Sequence, residues 1–254
     1  MSKKTKSLTI TIACIILGGI LLLESYARWP ASFTVEMPKP ESGTTHLIML
    51  FHGSEGEDNA AIISLEEELQ KQIDTKNTQV IRYIWAPWSD NRVRASTNGK
   101  HIGELIGKHL AGYNIDQLHL IGHSAGAWLP DAICRKIRQE KPSKSLVRIT
   151  LLDPIGINGV LDLGWGQRHF GECADFAEAI LNTNDNVPGT NVALQNAFNI
   201  DVTKLEHNKN GHEWPVWYYL DNLGGASLTL TASHTMLPRG AIAKDSKEFE
   251  STRE

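Results

Sequence analysis

The chain has 254 residues, 41% of them hydrophobic, and a formal net charge of −4 at pH 7. This length is sufficient for a single domain with a large core. The acidic balance argues against a nucleic-acid partner, because a nucleic-acid-binding protein presents a basic face.

The first 28 residues have the composition of an export segment. Lysines precede an apolar run over residues 8–23, and polar residues follow it. This order is typical of a secretory signal peptide or of a membrane anchor. The run is shorter than the roughly 20 residues that span a bilayer, and Ser25-Tyr26-Ala27 offers a cleavage site. We therefore expect an exported protein, periplasmic or extracellular, either cleaved after Ala27 or held at the membrane by this segment.

Strand-like and helix-like segments alternate along the rest of the chain. In order they are strand 45–53, helix 59–73, strand 78–87, helix 99–113, strand 117–124, a helix after Ser124, strands 146–156, 175–185 and 196–204, and helix 212–223. This alternation predicts an α/β fold, with a mostly parallel central sheet and helices on both faces. The predicted domain covers residues 43–225, and residues 226–254 form a C-terminal extension, partly disordered.

The stretch "LHLIGHSAGA" places Ser124 between Gly122 and Gly126, after an apolar strand and before a helix. A tight turn that merely tolerates small residues is one interpretation. The other is a nucleophile elbow, which exposes the serine hydroxyl and directs the next N–H group, that of Ala125, at a developing oxyanion. Since a serine hydroxyl needs an adjacent base to become nucleophilic, the elbow hypothesis requires a histidine and an acid.

Two aspartates and two histidines are candidates for these partners. Asp153 closes a strand in "LLDPIG", where its carboxylate could orient a histidine, and Asp185 in "NTND" occupies an equally suitable place after the next strand. His212 follows the last strand, as the chain order Ser…Asp…His requires, and His234 is its competitor. His123 lies inside the elbow, and we expect it to point away from the side where the nucleophile is exposed.

The loop "FHGSEGED" after the first strand is the expected source of a second oxyanion donor. We predict that this donor is the N–H group of Ser54, and that the preceding His52-Gly53 pair shapes the loop. Removing one such donor costs about 3 kcal/mol of transition-state stabilisation in comparable sites.

Two cysteines, Cys134 and Cys173, lie outside the leader. An oxidising compartment would allow a disulfide between them. We expect them to be unpaired, because Cys134 lies on a predicted core helix.

Four segments together resemble the pancreatic-type lipase family of α/β hydrolases, over residues 45–223. They are "LHLIGHSAGA" for the nucleophile, "ITLLDPIG" for the acid, "ADFAEAILNTND" for the next strand and "HEWPVWYYLDNL" for the histidine. The resemblance implies an α/β-hydrolase fold, and it favours Asp153 over Asp185 because the family's acid follows the same strand. The loop before His212 is too short for the family's lid, and no room remains for its second domain.

These observations predict a serine hydrolase that cleaves carboxylic esters through an acyl-enzyme. The predicted site comprises Ser124, Asp153 and His212 as triad and the N–H groups of Ser54 and Ala125 as oxyanion hole. Neither a cofactor nor a metal is expected. The partner is a small-molecule or lipid ester, and an open cleft without a lid favours small or partly soluble esters. The alternatives are an acyltransferase that uses the same acyl-enzyme and a non-catalytic, membrane-tethered binding protein on the same fold.

Overall fold

A seven-stranded sheet forms the centre of the molecule in the computed structural model, which describes residues 3–29, 32, 34–73, 76–141, 145–205, 208–209, 211–223 and 237–243. The elements in chain order are α1 (Lys3–Arg28), β1 (His46–Phe51), α2 (Ala60–Gln72), β2 (Thr78–Tyr83), α3 (Ala95–Leu110), β3 (Gln117–His123), a 3₁₀ turn (Ser124–Ala127), α4 (Trp128–Glu140), β4 (Leu146–Leu152), α5 (Trp165–His169), β5 (Phe176–Leu181), β6 (Phe198–Asp201), α6 (Trp214–Asp221) and β7 (Ile242–Ala243).

All seven strands are parallel and lie in the order β2-β1-β3-β4-β5-β6-β7. The chain runs from β1 to the edge strand β2 and then crosses back over β1 to β3, so that loops leave β1 and β3 in opposite directions. Ligands of open parallel sheets bind at such a point, beyond the carboxyl ends of the strands. The predicted α/β class is therefore confirmed, and the sheet extends past the predicted boundary at residue 225 through β7.

Helices cover both faces of the sheet and close two apolar clusters. One cluster contains buried residues of α3 and α4, and the other contains buried residues of α2 and α6. Strands β1, β4 and β5 are buried almost throughout, since each is covered on both faces. An ion pair lies within this sheet between Arg148 of β4 and Glu178 of β5 (2.6 Å), and Thr150 donates a hydrogen bond to the same carboxylate (2.7 Å).

Three glycines at four-residue spacing bring α3 close to α4. A Cβ on Gly103 would lie 2.7 Å from the Cβ of Ala132, and one on Gly107 would lie 2.8 Å from the carbonyl oxygen of Ile133. Gly99 faces Trp128 in the same way, at 2.9 Å. Because α4 follows the 3₁₀ turn that begins at Ser124, this close contact fixes the helix that supports the turn.

The expectation that Cys134 and Cys173 are unpaired is wrong. Their sulfur atoms form a disulfide that joins α4 to the turn before β5, with Cα atoms 6.0 Å apart. The turn returns to α4 because α5 reverses the chain after β4, and the residue spacing of the two cysteines did not indicate this. A disulfide suits an exported protein, because disulfides persist in oxidising compartments.

Helix α1 extends further than the apolar run on which the leader prediction rests. Residues Thr5–Arg28 form a 24-residue segment, and its most apolar window of 18 residues has a mean hydropathy of 2.2 and is not buried against the rest of the protein. At 1.5 Å per residue it is about 36 Å long, and a bilayer's hydrocarbon core is about 30 Å thick. Its length and composition fit both a signal segment and a membrane anchor.

Candidate active site

Ser124 is the first residue of the 3₁₀ turn, and the chain bends sharply there as it leaves β3. Its φ of 56° lies in the left-handed region, which side chains rarely adopt. The flanking glycines are required by contact: a Cβ on Gly126 would lie 2.5 Å from the carbonyl oxygens of Phe51 and His52, and one on Gly122 would lie 2.7 Å from the oxygen of Gly126. The arrangement is the strand–turn–helix elbow that the sequence predicts.

The hydroxyl of Ser124 is hydrogen-bonded to His212. The distance from Ser124 Oγ to His212 Nε2 is 2.8 Å. Two side chains hold the segment that carries His212 just before α6: His123 Nε2 donates to the His212 carbonyl (3.0 Å), and Asn182 Nδ2 donates to that of Gly211 (2.8 Å). The two side chains are thus within the distance required for proton transfer.

Two carboxylates face the other ring nitrogen of His212. Its Nδ1 lies 2.8 Å from Asp153 Oδ2 and 2.5 Å from Asp185 Oδ2. Asp153 is fully buried after β4, and its Oδ1 accepts the N–H of Asn182 (2.9 Å). Asp185 lies on the turn after β5 and accepts the N–H of Val187 (3.0 Å). The structure therefore brings together the preferred aspartate, Asp153, and its alternative, Asp185.

The three titratable groups shift one another's pKa values. Burial raises the pKa of Asp153 to about 7, and the hydrogen bond that its protonated form donates to Asp185 acts in the same direction. Burial acts to raise the pKa of Asp185 as well, but its hydrogen bonds with Asp153 and with the Val187 N–H lower it. Burial acts to lower the pKa of His212, yet Asp153 and Asp185 outweigh it, and this pKa is raised. The cluster thus favours a positive charge on the imidazole, which is the charge that a general base acquires.

His123 lies beside His212, contrary to the expectation that it points away from the exposed side of Ser124. Its ring centroid is 4.9 Å from that of His212. Burial, followed by the neighbouring His212, lowers the pKa of His123 to about 3. It is therefore a neutral donor that fixes His212 by the hydrogen bond to its carbonyl. Nothing in the sequence indicated this contact, because it depends on how the loop before α6 returns to the elbow.

The loop after β1 is shaped by His52, as the sequence predicts. The buried imidazole accepts the Trp85 N–H at Nε2 (3.2 Å), so its Nδ1–H donates to the Gly53 carbonyl (2.7 Å). A Cβ on Gly53 would lie 2.8 Å from the Cβ of Ser124, and glycine is thus required where the loop passes the nucleophile. Ser54, the next residue, lines a cavity together with Ser124 and Ala125.

This cavity has a volume of about 550 Å³, within the range of small-molecule sites. Ser124 and His212 are polar members of its wall. The larger part of the wall is apolar and includes Val93, Trp128, Ile155, Ile157, Val187 and Pro188. A ligand with a reactive polar group and a hydrocarbon chain matches this division.

Among the described residues, one group could hold a cation. It comprises Asp153, Asp185 and His212, whose ligand atoms lie within 4.8 Å of one another. Both ring nitrogens of His212 take part in the hydrogen bonds to Ser124 and Asp153. A cation bound at Nδ1 would displace the proton that joins the imidazole to the carboxylates. The geometry is that of a hydrogen-bonded chain and favours proton transfer over metal binding.

The chain matches no protein-family model, and no curated protein is significantly similar to it. The resemblance to the pancreatic-type lipases therefore stays a prediction that rests on the motifs. Of the predicted site residues, Ser54, Ser124, Ala125, Asp153 and His212 lie together at the carboxyl ends of β1, β3 and β4. His234, the competing base, lies outside the described residues.

Proposed function

We propose that this protein is an exported serine hydrolase with an α/β-hydrolase fold, similar to the pancreatic-type lipases, that cleaves carboxylic esters. The observation that carries the proposal is the chain of hydrogen bonds from Ser124 through His212 to Asp153, with 2.8 Å at each link. Its position at the switch point of a parallel sheet, beside a half-apolar cavity, supports the same reaction.

In the acylation step His212 Nε2 takes the proton of the Ser124 hydroxyl while Oγ attacks the ester carbonyl. The carbonyl oxygen becomes an oxyanion, and the donors proposed to stabilise it are the N–H groups of Ser54 and Ala125. Collapse of this intermediate breaks the bond to the alcohol oxygen, which leaves with the proton from His212. Asp153 and Asp185 stabilise the imidazolium between these two transfers.

Deacylation repeats these steps with water as the nucleophile. His212 takes a proton from water, the resulting hydroxide attacks the acyl carbon, and the bond to Ser124 Oγ breaks. The serine regains its proton from His212, and the carboxylic acid is released. The apolar wall, with Trp128 and Ile157, accommodates the hydrocarbon part of the acyl group during both steps.

Hydrolysis of p-nitrophenyl esters from acetate to palmitate by the full chain tests this proposal. We expect losses on the order of 10⁶-fold in kcat for Ser124→Ala and for His212→Ala, since nucleophile and base act as a unit. Ser64→Ala, a substitution on the outer helix α2, is the matched control and should leave the rate unchanged. A fluorophosphonate should label the wild-type chain and not the Ser124→Ala variant. Labelling of both, or of neither, would refute the proposal.

A further inference from the structure

The end of α1 is attached to the rim of the catalytic cavity. Glu24 accepts hydrogen bonds from the N–H groups of Val160 (2.7 Å) and Leu161 (3.2 Å). Arg28 forms an ion pair with Glu24 and donates to the Asn158 carbonyl (3.1 Å). We call residues 155–164 the rim loop, because Ile155, Ile157 and Gly159 line the cavity.

A second set of contacts joins the same end of α1 to residues 91–97, which comprise the end of the loop before α3 and the first turn of α3. Thr97 Oγ1 donates to the Ala27 carbonyl (2.7 Å), and Asn91 Nδ2 donates to the Tyr26 hydroxyl (2.8 Å). The Arg94 guanidinium lies over the Tyr26 ring, 5.2 Å from its centroid. Ala27 is fully buried, so the last turn of α1 is part of the folded domain.

Contact between α1 and the cavity wall is direct. Gly159 lines the cavity, and a Cβ placed on it would lie 2.6 Å from the Glu24 carboxylate. Its φ of +70° is also one that favours glycine. The loop therefore has the backbone shape that admits the Glu24 side chain. Cleavage after Ala27 would remove Glu24 and Tyr26 and would leave the N–H groups of the rim loop without this partner.

Apolar side chains are exposed on the same rim. Among the described residues beyond residue 29, Leu163 (64%) and Leu161 (58%) are the most exposed large hydrophobic side chains. Both lie on the rim loop. Tyr26 and Trp29 are exposed at the junction with α1, and these residue types are enriched where a helix leaves the bilayer. The leucines thus lie next to the end of the apolar helix, because the Leu161 N–H binds Glu24.

We propose that α1 is retained as a membrane anchor, that its end holds the mouth of the cavity at the bilayer surface, and that the ester substrate is a lipid drawn from the same bilayer. The lysines before the apolar run place the N-terminus on the cytoplasmic side and the enzyme domain on the exported side. The lipid substrate rests on the proposed function. It replaces the earlier prediction of a small or partly soluble ester, which was based on the short loop before His212. Leu161 and Leu163 enter the interfacial region, and the acyl chain passes from there to the apolar wall.

Intact mass of the full chain extracted from membranes tests retention. A mass that includes residues before Ala27 supports the proposal, and a chain that begins at Arg28 overturns it.

Vesicle assays test the position of the cavity. The full chain is reconstituted in vesicles of phosphatidylcholine and phosphatidylglycerol that contain a fluorogenic diacylglycerol, and p-nitrophenyl butyrate reports hydrolysis of a soluble ester. The decisive quantity is the ratio of the two rates. Anchoring raises the effective concentration of the diacylglycerol that lies in the same vesicle as the protein. We therefore expect this diacylglycerol to be cleaved at least about tenfold faster than diacylglycerol supplied in separate vesicles that contain no protein.

Two variants should lower the ratio about tenfold: Glu24→Ala, which detaches the rim, and the double substitution Leu161→Ser with Leu163→Ser. Leu146→Ser is the matched control. This exposed leucine is the first residue of β4, and it lies at the amino ends of the strands, whereas the cavity lies at their carboxyl ends. An unchanged ratio in the double variant, or equal cleavage in the same and in separate vesicles, overturns the proposal. Absence of hydrolysis of both esters by the wild-type chain would instead refute the proposed function.

Discussion

Replacement of Asp153 by asparagine tests whether His212 is oriented by one carboxylate or by two. In a triad with a single acid this change removes about 10⁴-fold of kcat, because the asparagine amide stabilises the wrong tautomer of the histidine. Here Asp153 Oδ1 accepts the Asn182 N–H, so an asparagine would present its NH₂ group to His212. Asp185, however, still lies 2.5 Å from Nδ1 and retains the proton there.

The expected loss is therefore that of one charge-assisted hydrogen bond. Such a bond contributes about 1.5–3 kcal/mol, which is about 10- to 150-fold in rate at 1.36 kcal/mol per factor of ten. We expect losses of this size for Asp153→Asn and for Asp185→Asn separately. The double variant should lose about 10⁴-fold, because the tautomer is then no longer fixed.

Steady-state hydrolysis of p-nitrophenyl butyrate by the four proteins gives these values. Asp201→Asn is a suitable control, since this carboxylate ends β6 and contacts Thr203 instead of the site. A loss of about 10⁴-fold in Asp153→Asn with no loss in Asp185→Asn would refute the shared role and make Asp153 the only acid. The opposite result would assign that role to Asp185.

Three further predictions concern pH and stability. His212 must be neutral to accept a proton, so kcat/KM should fall as pH falls through its raised pKa, with a midpoint above 6.5 that moves down in Asp185→Asn; a midpoint unaffected by this substitution would contradict the assigned cause. Substituting both Cys134 and Cys173 by serine should lower the free energy of unfolding by about 2–4 kcal/mol in denaturant titrations, whereas Cys14→Ser should not. Gly103→Val should lower it by about 1–3 kcal/mol through overpacking against α4, and an unchanged Tm would show that the two helices can separate at no cost.

The strands and the elbow were predictable because their signals are local. Apolar runs that end at Gly53, Ser124 and Asp153 indicate buried strands, and parallel strands place their carboxyl ends at one edge. The glycines on either side of Ser124 carry the same information, since the turn leaves no space for a side chain. The spacing of His212 after the last predicted strand was enough to predict that it lies in the same site as Ser124.

Other features depend on loops whose course the sequence does not determine. Asp185 reaches His212 because the turn after β5 folds back over the end of β4, and His123 reaches it through the loop before α6. The disulfide likewise requires the turn after α5 to meet α4, although 39 residues separate its two cysteines. The attachment of Glu24 to the rim loop joins segments more than 130 residues apart, and no local pattern indicates it.

The left-handed conformation of Ser124 has a consequence for the balance between stability and activity. A non-glycine residue in this region costs about 1 kcal/mol or more of folding free energy, and glycine avoids that cost. Ser124→Gly should therefore be about 1 kcal/mol more stable than Ser124→Ala, although both variants lack the proposed nucleophile. The backbone at this position is better suited to a residue that cannot perform the proposed reaction, and selection for stability alone would remove the serine.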